Sequence, residues 1–339
     1  MSPHLLIWSQ FFLCVALIGW AGVRLIRYGD AIASLTGLSR SWVGLILIAT
    51  VTSLPELVTG LSAVTVASAP DLAVGDALGS CVFNLAILAL MDVFYRKNAL
   101  YAVASHKHLL SAGFGVVLSA TAALVLLLST QGVMPSIGHV SGGSLVILTL
   151  YALAMRTLYL TEHRDPPAAQ ALGQTSPPTG LSIRAAVTGY ALAAVVIVGS
   201  GIWLPLIGVE LARLMGWSNS FVGTLLVALA TSVPELATTW GAIRVGAIDM
   251  AMANLLGSNL FDVLILAMDD LAYRPGSLYA AVSPIHAVSA MSACLMSGAV
   301  VIALAYRPVS RVWHIGSWAS MALLALYLMN AALQFLHGH

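Results

Sequence analysis

The chain is a succession of apolar runs, each about as long as a bilayer is thick, with little chain between them. Ten such runs cover roughly 5–28, 41–68, 72–95, 108–130, 143–160, 185–212, 219–246, 250–273, 281–306 and 312–335, most near the ~20 residues a helix needs to cross hydrocarbon. Soluble domains carry about 25% charged residues. Here only 8% of 339 residues are charged and 60% are hydrophobic, too few charges to clothe a water-facing surface. The spacing excludes a β-barrel, whose strands alternate over about 10 residues. An all-α polytopic membrane protein is expected. The first run lacks a basic lead-in and a convincing cleavage site, so it reads as a retained helix and not a signal peptide. A net charge of +1 gives no case for nucleic acid. Cys14, Cys81 and Cys294 lie far apart in apolar segments, so neither a disulfide framework nor a zinc cluster is expected.

Segment 161–183, with Pro166, Pro167, Pro177 and Pro178 among small polar residues, is the one linker-like stretch. It separates residues 1–160 from 184–339, five spans on either side. The fourteen Lys and Arg divide unevenly. Arg24, Arg27, Arg40, Arg96, Lys97, Lys107, Arg156, Arg164, Arg184, Arg244, Arg307 and Arg311 fall on one side of the membrane, and only Arg213 and Arg274 on the other. Basic loops stay in the cytoplasm. Both termini should therefore be extracytoplasmic and the linker cytoplasmic.

The halves repeat each other. Residues 37–57, GLSRSWVGLILIATVTSLPEL, match 216–236, GWSNSFVGTLLVALATSVPEL, at twelve of twenty-one positions. Residues 73–90, AVGDALGSCVFNLAILAL, pair with 251–268, AMANLLGSNLFDVLILAM. A fainter echo matches Leu100, Tyr101, Ser105 and His108 to Leu278, Tyr279, Ser283 and His286. Five spans per half turn the second copy upside down, giving two inverted five-helix repeats with a substrate site expected between them near the midplane. Duplication alone could leave such similarity, but the polar run Thr-Ser-x-Pro-Glu is kept in both halves while many apolar positions around it have drifted.

Each half carries Thr-Ser-x-Pro-Glu inside an apolar span: Thr52, Ser53, Pro55, Glu56 and Thr231, Ser232, Pro234, Glu235. Proline frees the carbonyl four residues back, and a freed carbonyl in the bilayer needs another partner. A glutamate at that depth costs several kcal/mol unless paired, protonated or coordinating. No Lys or Arg lies near the centre of any span. Two protonated glutamates hydrogen-bonded in the bundle are the plainer alternative. The next span adds Ser80 with Asn84, and Ser258 with Asp262, each pair four apart on one helix face. Gly79 and Gly257 precede them and would let helices approach closely. Carboxylates and hydroxyls without nitrogen or sulfur suit a hard cation. A site with up to three acids could hold one Ca²⁺ or several Na⁺.

On these two motif pairs, TSLPELVTGLSA with GDALGSCVFN and TSVPELATTW with ANLLGSNLFD, the chain resembles the Na⁺/Ca²⁺ exchanger branch of the cation/Ca²⁺ exchanger superfamily, prokaryotic type. The resemblance implies an antiporter of the cytoplasmic membrane. It implies Glu56 and Glu235 as principal Ca²⁺ ligands, completed by Asn84 and Asp262. Ser53, Thr52, Ser80, Ser232, Thr231 and Ser258 would ligate Na⁺ with the carbonyls of Ala49 and Ala228. Thr-Ser-x-Pro-Glu in place of Gly-Asn-x-x-Glu favours Na⁺ over H⁺ coupling. Two positions depart from the pattern: Gly75-Asp76 stands for Gly-Asn and Ser80-Cys81 for Ser-Asn. Asp76 is either an added ligand or proton site, or a hydrated carboxylate at the outer mouth. The second reading is favoured on sequence. Cys81 reads as packing.

Three weaker features remain. His106, Lys107 and His108 at a helix start read as solvated, although the matched His108 and His286 could gate transport or sense pH. Asp269 and Asp270 read as hydrated at a helix end. No nucleotide-binding loop is present, so energy should come from an ion gradient. The leading function is an antiporter moving Ca²⁺ outward against Na⁺. The second is the same scaffold coupled to H⁺ or K⁺. The third, a membrane scaffold or sensor, is disfavoured because it has no use for two unpaired intramembrane glutamates. No enzyme, cofactor or obligate protein partner is expected. Lipid surrounds the chain, and Na⁺ and Ca²⁺ are its substrates.

Overall fold

The computed structural model describes residues 2–36, 52–95, 100–164, 181–244, 246–308, 311–312 and 316–337. Its long helices follow the apolar runs. They are α1 (Pro3–Thr36), α2 (Leu54–Thr65), α3 (Pro70–Phe94), a one-turn α4 (Leu100–Val103), α5 (His108–Thr130) and α6 (Gly142–Arg164). After the linker come α7 (Ile183–Met215), α8 (Asn219–Thr231), α9 (Val233–Arg244), α10 (Ile248–Ala272), a one-turn α11 (Leu278–Ala281), α12 (His286–Tyr306) and α13 (Trp318–His337). Among the described residues eight helices are long and apolar enough to cross a membrane, and α8 with α9, counted together as one bent span, makes a ninth. The opening part of the expected span 41–68, including Ala49, lies outside the described residues.

Three features differ from the sequence expectation. Helix α1 runs to Thr36, beyond the expected end of the first span near residue 28, and within it the Arg24 guanidinium lies over the Trp20 ring at 4.0 Å. Residues Val222–Val227 widen into a π-helix, and the span bends by 45° at Ser232, ahead of Pro234. A short antiparallel hairpin, β1 (Ser136–Ile137) with β2 (Val140–Ser141), joins α5 to α6.

Helices α3 and α10 form the centre. The core window of each is 78% buried, against 22% for α6 and 28% for α13. They pack on each other, α1 packs on α7, and α5 packs on α12. The approach of α3 to the π-stretch is of backbone on backbone. A Cβ on Gly79 would stand 2.3 Å from the Thr224 carbonyl oxygen, and one on Gly223 would stand 2.7 Å from that of Leu72.

The aligned halves meet in matching pairs of contacts. Asp71 Oδ1, in the first turn of α3, accepts from Ser283 N at 2.7 Å and lies 3.0 Å from His286 Nε2. Asp249 Oδ1, in the first turn of α10, accepts from Ser105 N at 2.7 Å and lies 3.0 Å from His108 Nε2. These clasps correct the expectation of a solvated His108, which is 7% exposed. They also account for the faint echo, because Ser105, His108, Ser283 and His286 are its matched residues.

Asp92 and Asp270 do equivalent work where α3 and α10 end. Asp92 accepts from Leu100 N (3.1 Å), Ser317 N (2.6 Å) and Ser320 Oγ (2.7 Å). Asp270 accepts from Leu278 N (2.8 Å), Ser141 N (2.8 Å) and Ser144 Oγ (2.5 Å). Neither it nor Asp269 is hydrated, contrary to the sequence expectation, since both are 0% exposed. Removing an acceptor strands buried donors, each a substantial loss. Asp270→Ala should lower stability by about 2–4 kcal/mol, read as a fall in the thermal unfolding midpoint of the detergent-purified protein. An unchanged midpoint would contradict the bracket.

Candidate functional site

Where α3 crosses α10, residues 178 apart in sequence bond to one another. Cys81 Sγ donates to the Asn259 carbonyl (3.6 Å), and Asn259 Nδ2 donates to the Cys81 carbonyl (3.2 Å). One turn along, Asn84 Nδ2 donates to Asp262 Oδ2 (3.3 Å). The two Pro-Glu breaks flank this crossing. Proline near each helix start leaves Ser53 and Ser232 at the breaks with non-helical backbone, and Ser232 presents its side chain to Glu56.

Thr52, Thr231 and Ser232 each face an acid or amide of the opposite half, while Ser258 meets the glutamate of its own half. Ser232 Oγ donates to Glu56 Oε1 (3.2 Å) and approaches Ser80 Oγ (3.2 Å). Ser258 Oγ donates to Glu235 Oε1 (3.4 Å) and lies 3.3 Å from Thr52 Oγ1. Thr231 Oγ1 donates to Asp76 Oδ1 (2.9 Å), and in the matching position Thr52 Oγ1 donates to Asn254 Oδ1 (3.4 Å). Thr52, Ser53, Glu56, Asp76, Ser80, Asn84, Thr231, Ser232, Glu235, Ser258 and Asp262 are thus gathered in one buried region, each at most 1% exposed.

Asp76 departs from expectation. It does not lie at a hydrated mouth but is buried and bonded to the second half. The Ala228 carbonyl already accepts from Ser232 N (3.1 Å) and Thr231 Oγ1 (3.2 Å), so it reaches an ion only through its remaining capacity. Two residues went unremarked in the sequence, Asn254 and Asn259. Their signal was the repeat itself, since they align with Asp76 and Cys81. The halves therefore carry the same acid and amide in opposite order: Asp76 then Asn84 on α3, Asn254 then Asp262 on α10.

Seven buried oxygens here have no hydrogen-bond partner: Ser53 Oγ, Glu56 Oε2, Asp76 Oδ2, Asn84 Oδ1, Glu235 Oε2, Asn259 Oδ1 and Asp262 Oδ1. The described ion pairs, His108–Asp249, Arg213–Glu210 and His286–Asp71, leave these carboxylates without a cationic side chain. Unpartnered oxygens at this depth are costly, and a desolvated hard cation is the partner that fits them. Among the described residues no three His, Cys, Asp or Glu side chains are gathered closely enough to hold a metal by themselves. The acids are instead interleaved with hydroxyls and amides.

Comparison with known proteins agrees with this chemistry. The family model described as "Sodium/calcium exchanger protein" matches residues 6–160 and 185–336. Sodium/calcium exchanger MaX1 of Methanosarcina acetivorans is 35% identical over 118 residues, 34% of this chain and 31% of that protein. Inner membrane protein YrbG of Escherichia coli is 24% identical over 276 residues, 77% of this chain and 78% of that one. The solved structure of the sodium-calcium exchanger NCX_Mj, soaked with Na⁺ and Ca²⁺, superposes with a TM-score of 0.59 at 22% identity, covering 96% of this chain and 98% of that one.

Proposed function

Because the chain belongs to the sodium/calcium exchanger family of multi-pass membrane antiporters, we propose that it exchanges Na⁺ for Ca²⁺ by alternating access. The family consists of transporters and not enzymes. The ions would bind near the midplane between two inverted repeats, with Glu56 and Glu235 as the principal Ca²⁺ ligands. Asn84 and Asp262 would complete the central site, and the hydroxyls of Thr52, Ser53, Ser80, Thr231, Ser232 and Ser258 would serve Na⁺. The observation that carries this reading is the set of seven unpartnered buried oxygens, which none of the ion pairs among the described residues involves.

The loose arrangement suits transport. A closed cage of carboxylates would hold Ca²⁺ too tightly to release it, whereas hydroxyls and amides between the acids divide the charge. One Ca²⁺, or several Na⁺ in its place, can balance the same carboxylates. Their mutual exclusion is the physical basis of exchange. Asp76 supplies a further carboxylate bonded to Thr231, and this favours H⁺ or K⁺ coupling as the second reading, since an added acid can carry a proton.

The deciding experiment is Na⁺-gradient-driven ⁴⁵Ca²⁺ uptake into proteoliposomes. Uptake should require a Na⁺ gradient and vanish when an inert cation replaces Na⁺ at fixed pH. Uptake that persists, driven by H⁺ or K⁺, would transfer the assignment to the second reading.

The skewed basic residues support both termini facing away from the cytoplasm, in the cytoplasmic membrane of a prokaryote. Compartment-reporting tags fused at His339 and inserted near Ala169 should give opposite signals. Matching signals would remove the inverted-repeat reading.

A further inference from the structure

Asp269 lies on α10, seven residues beyond Asp262 and so on the same helix face two turns away. It is 0% exposed, and neither carboxylate oxygen has a hydrogen-bond partner. Its carboxylate rests against Gly60 of α2: a Cβ there would stand 2.5 Å from Oδ2 and 2.9 Å from Oδ1. Gly60 lies one turn beyond Glu56. Thr59, between them in sequence, is 1% exposed or less with an unpartnered hydroxyl. Asp76 leaves Oδ2 unpartnered, and it lies in the N-terminal part of α3, whose first turn is held by Asp71 to Ser283 and His286 just beyond the C-terminal end of α10.

The repeat does not require this acid. By the alignment offsets, Asp269 corresponds to Met91 and Gly60 to Thr239. The first half thus places a thioether where the second places a carboxylate, and the glycine that admits the carboxylate is likewise confined to one side. Asp270 alone closes the turn into α11, so Asp269 has no part in that bracket. A buried, unpartnered carboxylate that neither packing nor symmetry requires is a ligand in search of a cation.

We propose that Asp269, with Asp76 and the hydroxyl of Thr59, forms a second cation subsite for Ca²⁺, displaced from the Glu56–Glu235–Asp262 centre toward the C-terminal end of α10. This rests on the exchange reading only for the direction of the ion's path: in the proposed topology that end is the extracytoplasmic side. The subsite stages an ion between that face and the centre, and it gives the exchanger an acidic approach from one side only.

Equilibrium ⁴⁵Ca²⁺ binding to the detergent-purified protein tests this independently of transport. The Glu56→Gln/Glu235→Gln variant should retain a weaker Ca²⁺ equivalent, and adding Asp269→Asn should weaken that binding by about tenfold or more. In proteoliposomes Asp269→Asn alone should raise the apparent KM for Ca²⁺ at the α10 C-terminal face about fivefold, more than at the opposite face. Gly60→Ala, whose methyl would displace the carboxylate, should act in the same direction and decides the matter if Asp269→Asn does not yield folded protein. Identical Ca²⁺ binding with and without these substitutions overturns the subsite, as does an equal KM change at both faces. Wild-type vesicles that bind Ca²⁺ but show no Na⁺-driven flux would instead count against the exchange reading and leave the subsite standing.

Discussion

Replacing Glu56 with Gln, or Glu235 with Gln, should bring Na⁺-driven Ca²⁺ uptake down to the level of empty vesicles while the protein stays folded. The substitution preserves side-chain volume. At Glu56 it also preserves an oxygen to accept from Ser232, and at Glu235 one to accept from Ser258, so the local packing has no reason to change. What is lost is a full negative charge in a buried region without a basic partner. Ca²⁺ must shed its water to enter, and only oxygens carrying charge repay that cost. Removing one of two principal carboxylates should weaken Ca²⁺ by at least about 100-fold, close to 3 kcal/mol, beyond what a flux assay detects. Asp262→Asn should be milder, because Asp262 already shares Oδ2 with the Asn84 amide. Gel filtration and thermal unfolding would verify that each variant is folded. Robust Ca²⁺ flux from the double glutamine protein would place the ion site elsewhere.

The helices were legible from the sequence because hydropathy needs no partner to be read. Helices α3, α5, α7, α10 and α12 begin and end within a few residues of the apolar runs. The fates of individual polar residues were not legible in that way. Asp76, Asp269 and Asp270 resemble hydrated acids near helix ends, and His108 resembles a surface histidine, since nothing local reveals what stands opposite. Their partners lie far away in the chain: Thr231 for Asp76, Gly60 for Asp269, Ser141 and Ser144 for Asp270, Asp249 for His108. The alignment held a usable signal all the same. Matched positions 178 apart meet at the crossing of α3 and α10, which points to Asn259 as the companion of Cys81, and the repeat maps the Thr231–Asp76 contact onto Thr52 and Asn254. The π-stretch Val222–Val227 had no comparable mark, although its backbone lies against Gly75 and Gly79.

That packing leads to a second large expected effect. Gly79→Ala should destabilise the protein by about 3 kcal/mol and abolish transport with it. The methyl would stand 2.3 Å from the Thr224 carbonyl oxygen, 2.8 Å from its carbonyl carbon and 2.8 Å from Ala228 Cβ. Two of these three atoms are backbone, so no rotamer change relieves the contact, and α3 must move away from the π-stretch. Ser80 follows Gly79 directly and meets Ser232 at 3.2 Å. Thr231, one turn past the π-stretch, holds Asp76. Moving α3 outward therefore separates the hydroxyls from the acids they face. Small residues at such crossings are what allow membrane helices to pack without a hydrophobic drive. The control lies within the same chain. At Gly199 of α7 and Gly298 of α12 an added methyl would meet nothing within 4 Å, and alanine is the better helix former by nearly 1 kcal/mol. Gly199→Ala and Gly298→Ala should therefore leave the unfolding midpoint level or raise it. If Gly79→Ala behaves like these two, the helices are not in backbone contact at Thr224, and the close crossing that brings Ser80 to Ser232 does not exist in solution.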